Sequence, residues 1–272
     1  MSNEYLYTTS DELSTEKRSS GKIEKGLKKL LFIIAIIIAA QLIWLFGISP
    51  FIPFSSIEIH GSADIHREEI LSLAGLNENS SFVSTNAAEI QDKISRHILV
   101  ESVIVMKNFP DKLSIFINMR EAAAVTIMKV NSGQFPLLID RNGVLFKIGN
   151  VDSKETINLP LISGLVNPQL NMRLPDSLIS LVKKLSVMSV TSPELLSAFS
   201  EIRIEPKIWE GYDYVLFPVH SSIRVRVDEN LSEETLRYML LLLNVLERSD
   251  EKPEEIDLRS GIGSYKVKEK SL

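Results

Sequence analysis

The chain has 272 residues, no cysteine and a formal net charge of −5, with 44% hydrophobic residues. Without cysteine there is no disulfide framework, thiol nucleophile, iron–sulfur cluster or Cys-based zinc site. The mild acidity argues against bulk affinity for nucleic acid, and the length suits one or two globular domains.

Residues 1–29 are rich in Ser, Thr, Lys and Glu and carry too little apolar surface to fold alone, so they read as a flexible tail. Leu30–Ile48 is then uncharged, with Gln41 its one clearly polar side chain. At about 1.5 Å per residue such a helix matches a hydrocarbon core of roughly 30 Å. Lys17, Arg18, Lys22, Lys25, Lys28 and Lys29 precede it, and no Lys or Arg follows until Arg67. That asymmetry predicts a single span with the N-terminus in the cytoplasm. Gly47-Ile48-Ser49 offers small residues to a signal peptidase, but the long apolar stretch, the polar segment before it and Pro50 after it favour an uncleaved anchor.

Pro50-Phe51-Ile52-Pro53 reads as a stiff linker. Alternation around Ile57 and Ile59 predicts a half-buried strand ended by Gly61. Ile65, Ile70, Leu71, Leu73 and Ala74 give a short helix closed by Gly75. Asn86 and Glu89 open a second helix, running to about His97 with Ile90 and Ile94 inward. Strands follow at about Val100–Lys107 and Lys112–Arg120, joined by Asn108-Phe109-Pro110-Asp111.

Beyond Arg120, Val125–Val130 and Phe135–Ile139 are apolar runs, and Asp140-Arg141-Asn142-Gly143 predicts a hairpin turn before Val144-Leu145-Phe146. A helix begins near Pro175 with Leu178, Leu181, Val182, Leu185 and Met188 at helical spacing. Ile202–Ile204, Tyr212–Phe217 and Ile223–Val227 read as strands, and Asn230 with Glu233 as the start of a last helix whose inner face is Leu236, Met239, Leu240 and Leu243. Glu255–Arg259 and Ser264–Val267 flank the Gly261-Ile262-Gly263 turn.

Motifs for catalysis are missing. His60, His66, His97 and His220 form no metal-binding spacing, G-x-S-x-G and S-x-x-K patterns with their companions are absent, and Gly261-Ile262-Gly263 lacks the remainder of a nucleotide loop. No catalytic, cofactor or metal residue is assigned.

The ordered pattern resembles the FtsQ/DivIB family of bacterial division proteins. The strand–helix–helix–strand–strand order is similar to a polypeptide-transport-associated (POTRA) domain, supported by Ile57-Glu58-Ile59-His60-Gly61, Val100–Val105 and Phe109–Ile115. Arg120–Ala124 is similar to the family's E-R-x-P stretch without its proline. Ile139–Phe146 resembles its D-x-x-G-x-x-F hairpin, Leu159–Gly164 its L-P-x-[LI]-x-G segment, and Ile256-Asp257-Leu258-Arg259 its closing D-L-R strand. Arg226-Val227-Asp228-Glu229 departs from the family, which often has a glycine there.

The resemblance implies an α+β protein: tail 1–29, transmembrane helix 30–48, POTRA domain 54–121, a mixed, mostly antiparallel β domain 122–268 with two helices, and a C-terminal tail 269–272. It implies a non-enzymatic scaffold in the inner membrane at the division septum, with its bulk extracytoplasmic. The implied partners are FtsB/DivIC-like and FtsL-like proteins, with other divisome membrane proteins, and no nucleic acid, cofactor or small-molecule substrate. A partner strand would add to an edge formed by Ile256, Asp257, Leu258, Arg259, Ser260, Tyr265 and Val267. Arg259 falls on the family's arginine and either meets a partner carboxylate or is a solvated strand charge. The competing assignment, a POTRA module for secretion or outer-membrane assembly, expects several POTRA units or a barrel, neither of which the pattern contains. An anchored enzyme would need a convergent polar cleft.

Overall fold

The computed structural model describes residues 12–130, 133–150, 153, 156, 158–229, 231–249 and 253–265, and side chains from Glu24 onward. The chain divides into two compact units, Met1–Ile94 with Val103–Ile117, and Ser95–Ser102 with Asn118–Leu272.

The first unit opens with α1 (Glu12–Leu42), which continues through a π-helical segment, Ile43–Ile48, and a 3-10 turn, Ser49–Phe51. Within it, Glu24–Phe51 is long and apolar enough to cross a membrane. Helix thus begins inside the stretch expected to be a flexible tail. Lys, Glu and Leu are good helix formers, and a helix already nucleated by the apolar span propagates through them at little cost. The Pro50 segment is correspondingly a turn of 3-10 helix followed by a bridge from Pro53 to Ser81.

The remainder of this unit follows the expected order: β1 (Ser56–His60), α2 (Arg67–Ala74), α3 (Ala87–Ser95), β2 (Val100–Asn108) and β3 (Lys112–Met119), with sheet order β1-β3-β2. Gly75 closes α2 in the left-handed region at φ 70°, its N–H donating to Ser72 O. The Asn86 side chain accepts the Ala88 N–H at 3.0 Å, the cap its position predicted for α3. β1 runs parallel to β3, pairing Ile57 with Leu113 and Ile59 with Ile115. Ile70, Ala74, Ile90, Ile94, Leu113 and Ile115 are buried, so one face of both helices and alternate strand positions form the core. Gly61 does more than turn the chain: at φ 81° it lies where a Cβ would fall 2.1 Å from the carbonyl oxygen of Ile117.

In the second unit β4 (Ala122–Val130) starts two residues after Arg120, uninterrupted where the family's proline is missing. There follow β5 (Gly133–Asp140), β6 (Leu145–Ile148), β7 (Leu161–Ser163), α4 (Asp176–Thr191), a single-turn α5 (Pro193–Leu196), β8 (Phe199–Pro206), β9 (Tyr212–Pro218), β10 (Arg224–Val227), α6 (Glu233–Glu247), β11 (Glu255–Asp257) and β12 (Ser264–Tyr265). Among the described residues they form a nine-stranded sheet, β12-β11-β10-β9-β8-β7-β4-β5-β6. β7, too short to show a period, is parallel to β4 and to β8 and joins β4–β6, antiparallel throughout, to a half in which β8, β9 and β10 are antiparallel and β11 is parallel to β10. Gly164 ends it at φ 86°, where a Cβ would meet the Ile204 carbonyl oxygen at 2.3 Å.

The main core combines Leu178, Leu181, Val182 and Leu185 of α4 and Leu236, Met239, Leu243 and Leu246 of α6 with Ile202, Ile204, Leu216, Val225 and Ile256 of the sheet. A smaller cluster of Val125, Leu138 and Phe146, packed by Ile98 and Leu99, forms beside β4–β6. Asn230 is outside the described residues; the N-cap of α6 is Ser232, whose hydroxyl accepts the Thr235 N–H. Glu229, the last residue of the Arg226–Glu229 stretch, accepts the Tyr212 N–H at 3.0 Å, tying the end of β10 to the β8–β9 turn.

The Asp140–Gly143 turn is a polar hub. Asp140 is buried; its Oδ1 accepts the N–H groups of Asn142 at 3.0 Å and Val144 at 2.7 Å, and its Oδ2 accepts from the Arg120 guanidinium. Glu101 accepts from Arg141 at 2.8 and 3.0 Å, from Asn142 at 2.8 Å and from Asn118 at 3.0 Å. These bonds hold Ser95–Ser102 and Asn118–Arg120 to β4–β6, so the second unit includes the start of β2 and the residues just after Ile117.

Candidate partner-binding edge

β11 lies parallel to β10, pairing Val225 with Ile256, and antiparallel to β12, pairing Ile256 with Tyr265 and Asp257 with Ser264. The segment beginning at Ile256 is therefore not the free edge expected from its sequence. The Gly261–Gly263 turn folds the chain back and covers it, leaving β12 as the rim among the described residues. Val267 lies outside the described residues.

The expected site residues divide by position. Ile256 and Leu258 are buried in the main core, and the Leu258 N–H donates to Arg226 O at 2.8 Å. Ser260 is exposed, its hydroxyl 3.3 Å from Ile262 O, and Tyr265 is about 41% exposed at the rim. Ser264 is exposed beside it. The turn packs closely on α6, since a Cβ on Gly263 would meet Leu242 Cδ2 at 2.6 Å.

Asp257 and Arg259 face a polar network on the side of the sheet away from α4 and α6. Val225 and Val227 turn toward the core, so by strand alternation Arg226 faces the other way. Arg226 donates to Glu205 at 2.6 Å and Glu255 at 2.9 Å. Arg259 donates to Asp257 at 2.6 Å and to Asp213 at 2.8 Å, and the Lys207 ammonium lies 3.5 Å from Asp213 Oδ1. Hydrogen bonds from Arg259 hold the Asp257 carboxyl below its usual range, and the same pairing raises the Arg259 guanidinium. Arg259, expected either to meet a partner carboxylate or to be a solvated strand charge, is paired within its own chain with Asp257 and Asp213.

A shallow pocket of about 450 Å³ is lined by Leu258, Arg259, Ser260 and Gly261 with Asp228, Glu234, Thr235 and Tyr238. It joins the turn to α6 and so to apolar residues that the sequence reading overlooked. Tyr238, Leu241 and Val245 are 41%, 67% and 65% exposed, and Ile262 at the turn is 74% exposed. Their i, i+3, i+7 spacing on α6 is visible in sequence as a second apolar stripe, masked by the stronger Leu236–Leu243 one. Among the described residues no group of three or more His, Asp or Glu side chains is disposed to hold a metal ion.

Two family models match the chain in this order: the FtsQ-type POTRA domain over residues 52–120 and the C-terminal domain of cell division protein FtsQ/DivIB over residues 127–259. The chain belongs to the FtsQ/DivIB family. Relatives include DivIB of Brevibacillus brevis, 24% identical over 193 residues, 71% of this chain and 68% of that one. DivIB of Solibacillus silvestris is 26% identical over 217 residues, 79% and 69% of the two chains, and FtsQ of a Geobacter species 25% over 203 residues, 75% and 71%. Among solved structures, the major extracytoplasmic domain of Geobacillus stearothermophilus DivIB aligns at 16% identity and a TM-score of 0.28, covering 47% of this chain and 97% of that one. The α+β architecture and the role in bacterial cell division stand on these family matches and on the topology described above.

Proposed function

We propose that the chain is a non-enzymatic divisome scaffold, anchored once in the inner membrane with its N-terminus in the cytoplasm and its bulk outside, at the division septum. It gathers FtsB/DivIC-like and FtsL-like proteins by accepting an extended partner segment along β12, next to Ser260, Tyr265 and Val267. One observation carries this reading: among the described residues the sheet ends at β12, where the Ser264 and Tyr265 side chains are both exposed. The exposed Tyr265 and Ile262 supply apolar contact to an incoming segment while main-chain pairing supplies register. Ile256 and Leu258 act from beneath as core residues, and Asp257 and Arg259 hold the strand ends in place.

The test is capture of the FtsB/DivIC-like protein encoded by the same genome, using the full chain. Tyr265→Ala is expected to weaken capture at least tenfold, as truncating an interface aromatic commonly does, with an unchanged circular dichroism spectrum. Equal capture by wild type and variant refutes the edge. Leu258→Pro is unsuitable as a test, because it deletes the Arg226 hydrogen bond and a buried side chain. Depletion of the protein is expected to give filaments without septa; normal septation would refute the scaffold role.

A further inference from the structure

The part of α1 ahead of the apolar span carries Lys17, Arg18, Lys22, Lys25, Lys28 and Lys29 together with Glu12, Glu16 and Glu24. Orientation of a span depends on how many cations flank it and is indifferent to the side of the helix they occupy. Here the side is also organised. At about 100° per residue, the six cationic positions fall within one arc of about 140°, and the three acidic positions with Leu13, Ile23 and Leu27 fall outside it. The helix is continuous from Glu12 to Leu42, and Lys25, Lys28 and Lys29 are exposed.

Depth adds to the pattern. At about 1.5 Å per residue, position 29 lies about 1.5 Å before Leu30, position 25 about 7.5 Å and position 22 about 12 Å. The headgroup layer on each side of a bilayer is roughly 5–7 Å thick, and a lysine stem spans several ångströms more. The positions nearest the span therefore sit where phosphodiester groups are concentrated, on a single side of the helix.

We propose that this face is a binding site for anionic phospholipid headgroups, with Lys25, Lys28 and Lys29 contacting phosphate. Charge complementarity and depth both select lipid as the occupant. The proposal rests on the membrane span alone and is independent of partner binding at β12.

The test uses the full purified chain in neutral detergent, titrated with phosphatidylglycerol, cardiolipin or phosphatidylcholine, with bound lipid counted by native mass spectrometry. In one variant Lys22→Ile is combined with Ile23→Lys and Lys25→Leu with Leu27→Lys, keeping the composition and number of cations while moving two of them off the face. At about 1 kcal/mol per lysine, affinity for the anionic lipids is expected to fall about thirtyfold. Lys22→Gln with Lys25→Gln and Lys29→Gln, which preserves helix propensity, is expected to fall at least as far. Equal binding of phosphatidylcholine and the anionic lipids, unchanged affinity in both variants, or displacement by millimolar inorganic phosphate alone would overturn the assignment. If the face instead retained only a copurifying acidic protein and no lipid, it would be overturned as well.

Discussion

Asp140→Asn isolates the contribution of the hub at the β5–β6 turn. Asparagine preserves the shape and keeps a carbonyl oxygen for the Asn142 and Val144 N–H groups. It turns an amide or a neutral oxygen toward Arg120, whose side chain is only 16% exposed and whose guanidinium is otherwise bonded to Ile98 O at 2.9 Å. Removing one member of a buried ion pair costs about 3–5 kcal/mol, because the remaining charge stays desolvated. Partial access of water to Arg120 places the expected loss near the low end, about 3 kcal/mol. Asp140→Ala also strips the acceptor from two backbone donors, adding about 1 kcal/mol for each. Native-state hydrogen exchange at Leu138, on β5 opposite Lys147 of β6, measures the opening free energy of this hairpin. About 3 kcal/mol corresponds to exchange about a hundredfold faster in Asp140→Asn. Replacing Arg120 by Met in the same chain removes the stranded charge and is expected to recover about half of the loss. A change below about 0.5 kcal/mol in Asp140→Asn, or no further loss in Asp140→Ala, would refute the argument that the turn depends on this carboxylate.

Gly164→Ala is expected to cost more than about 2 kcal/mol, since the methyl must displace the Ile204 carbonyl and occupy a left-handed backbone; urea unfolding followed by circular dichroism measures it. Asp257 has a depressed folded-state pKa, so its pairing with Arg259 stabilises fully above about pH 4, its unfolded value, and is lost as pH falls through the lower folded value. The stability difference between wild type and Asp257→Asn is therefore expected to be constant near neutrality and to vanish in acid, read from denaturation midpoints across pH. Burial pushes the Tyr214 phenol up to about 12. Stability should then decline as pH rises from about 10, the unfolded value, toward 12, and Tyr214→Phe should flatten that limb of the thermal-unfolding profile.

How much of the molecule could be read in advance varied with the range of the interactions involved. Helices α2 and α3 were legible because a cap, a left-handed glycine and a 3.6-residue stripe are all local. β7 was not: three residues show no period, and its place between β4 and β8 comes from parallel pairing with segments distant in sequence. The start of α6 was read two residues early, because Asn230 and Ser232 are both good caps and only the packing of Leu236 and Met239 chooses between them. At the candidate edge the order of the strands was not legible. Whether Ile256 or Tyr265 lies at the rim depends on how the Gly261–Gly263 turn folds back over β11.

By itself the sequence determined the single apolar span, the cationic flank before it, the two unlike modules and their family, because hydropathy, charge count and turn residues act over a few neighbours. Tertiary structure alone decided which strand ends the sheet among the described residues, and that Arg259 pairs with Asp213 and Asp257. It also decided that Asp140 joins Arg120 to the β5–β6 turn. The Arg259–Asp213 and Arg120–Asp140 contacts join groups 46 and 20 residues apart in sequence, and in each the carboxylate is buried, so that water is removed as an alternative partner and the fold supplies one.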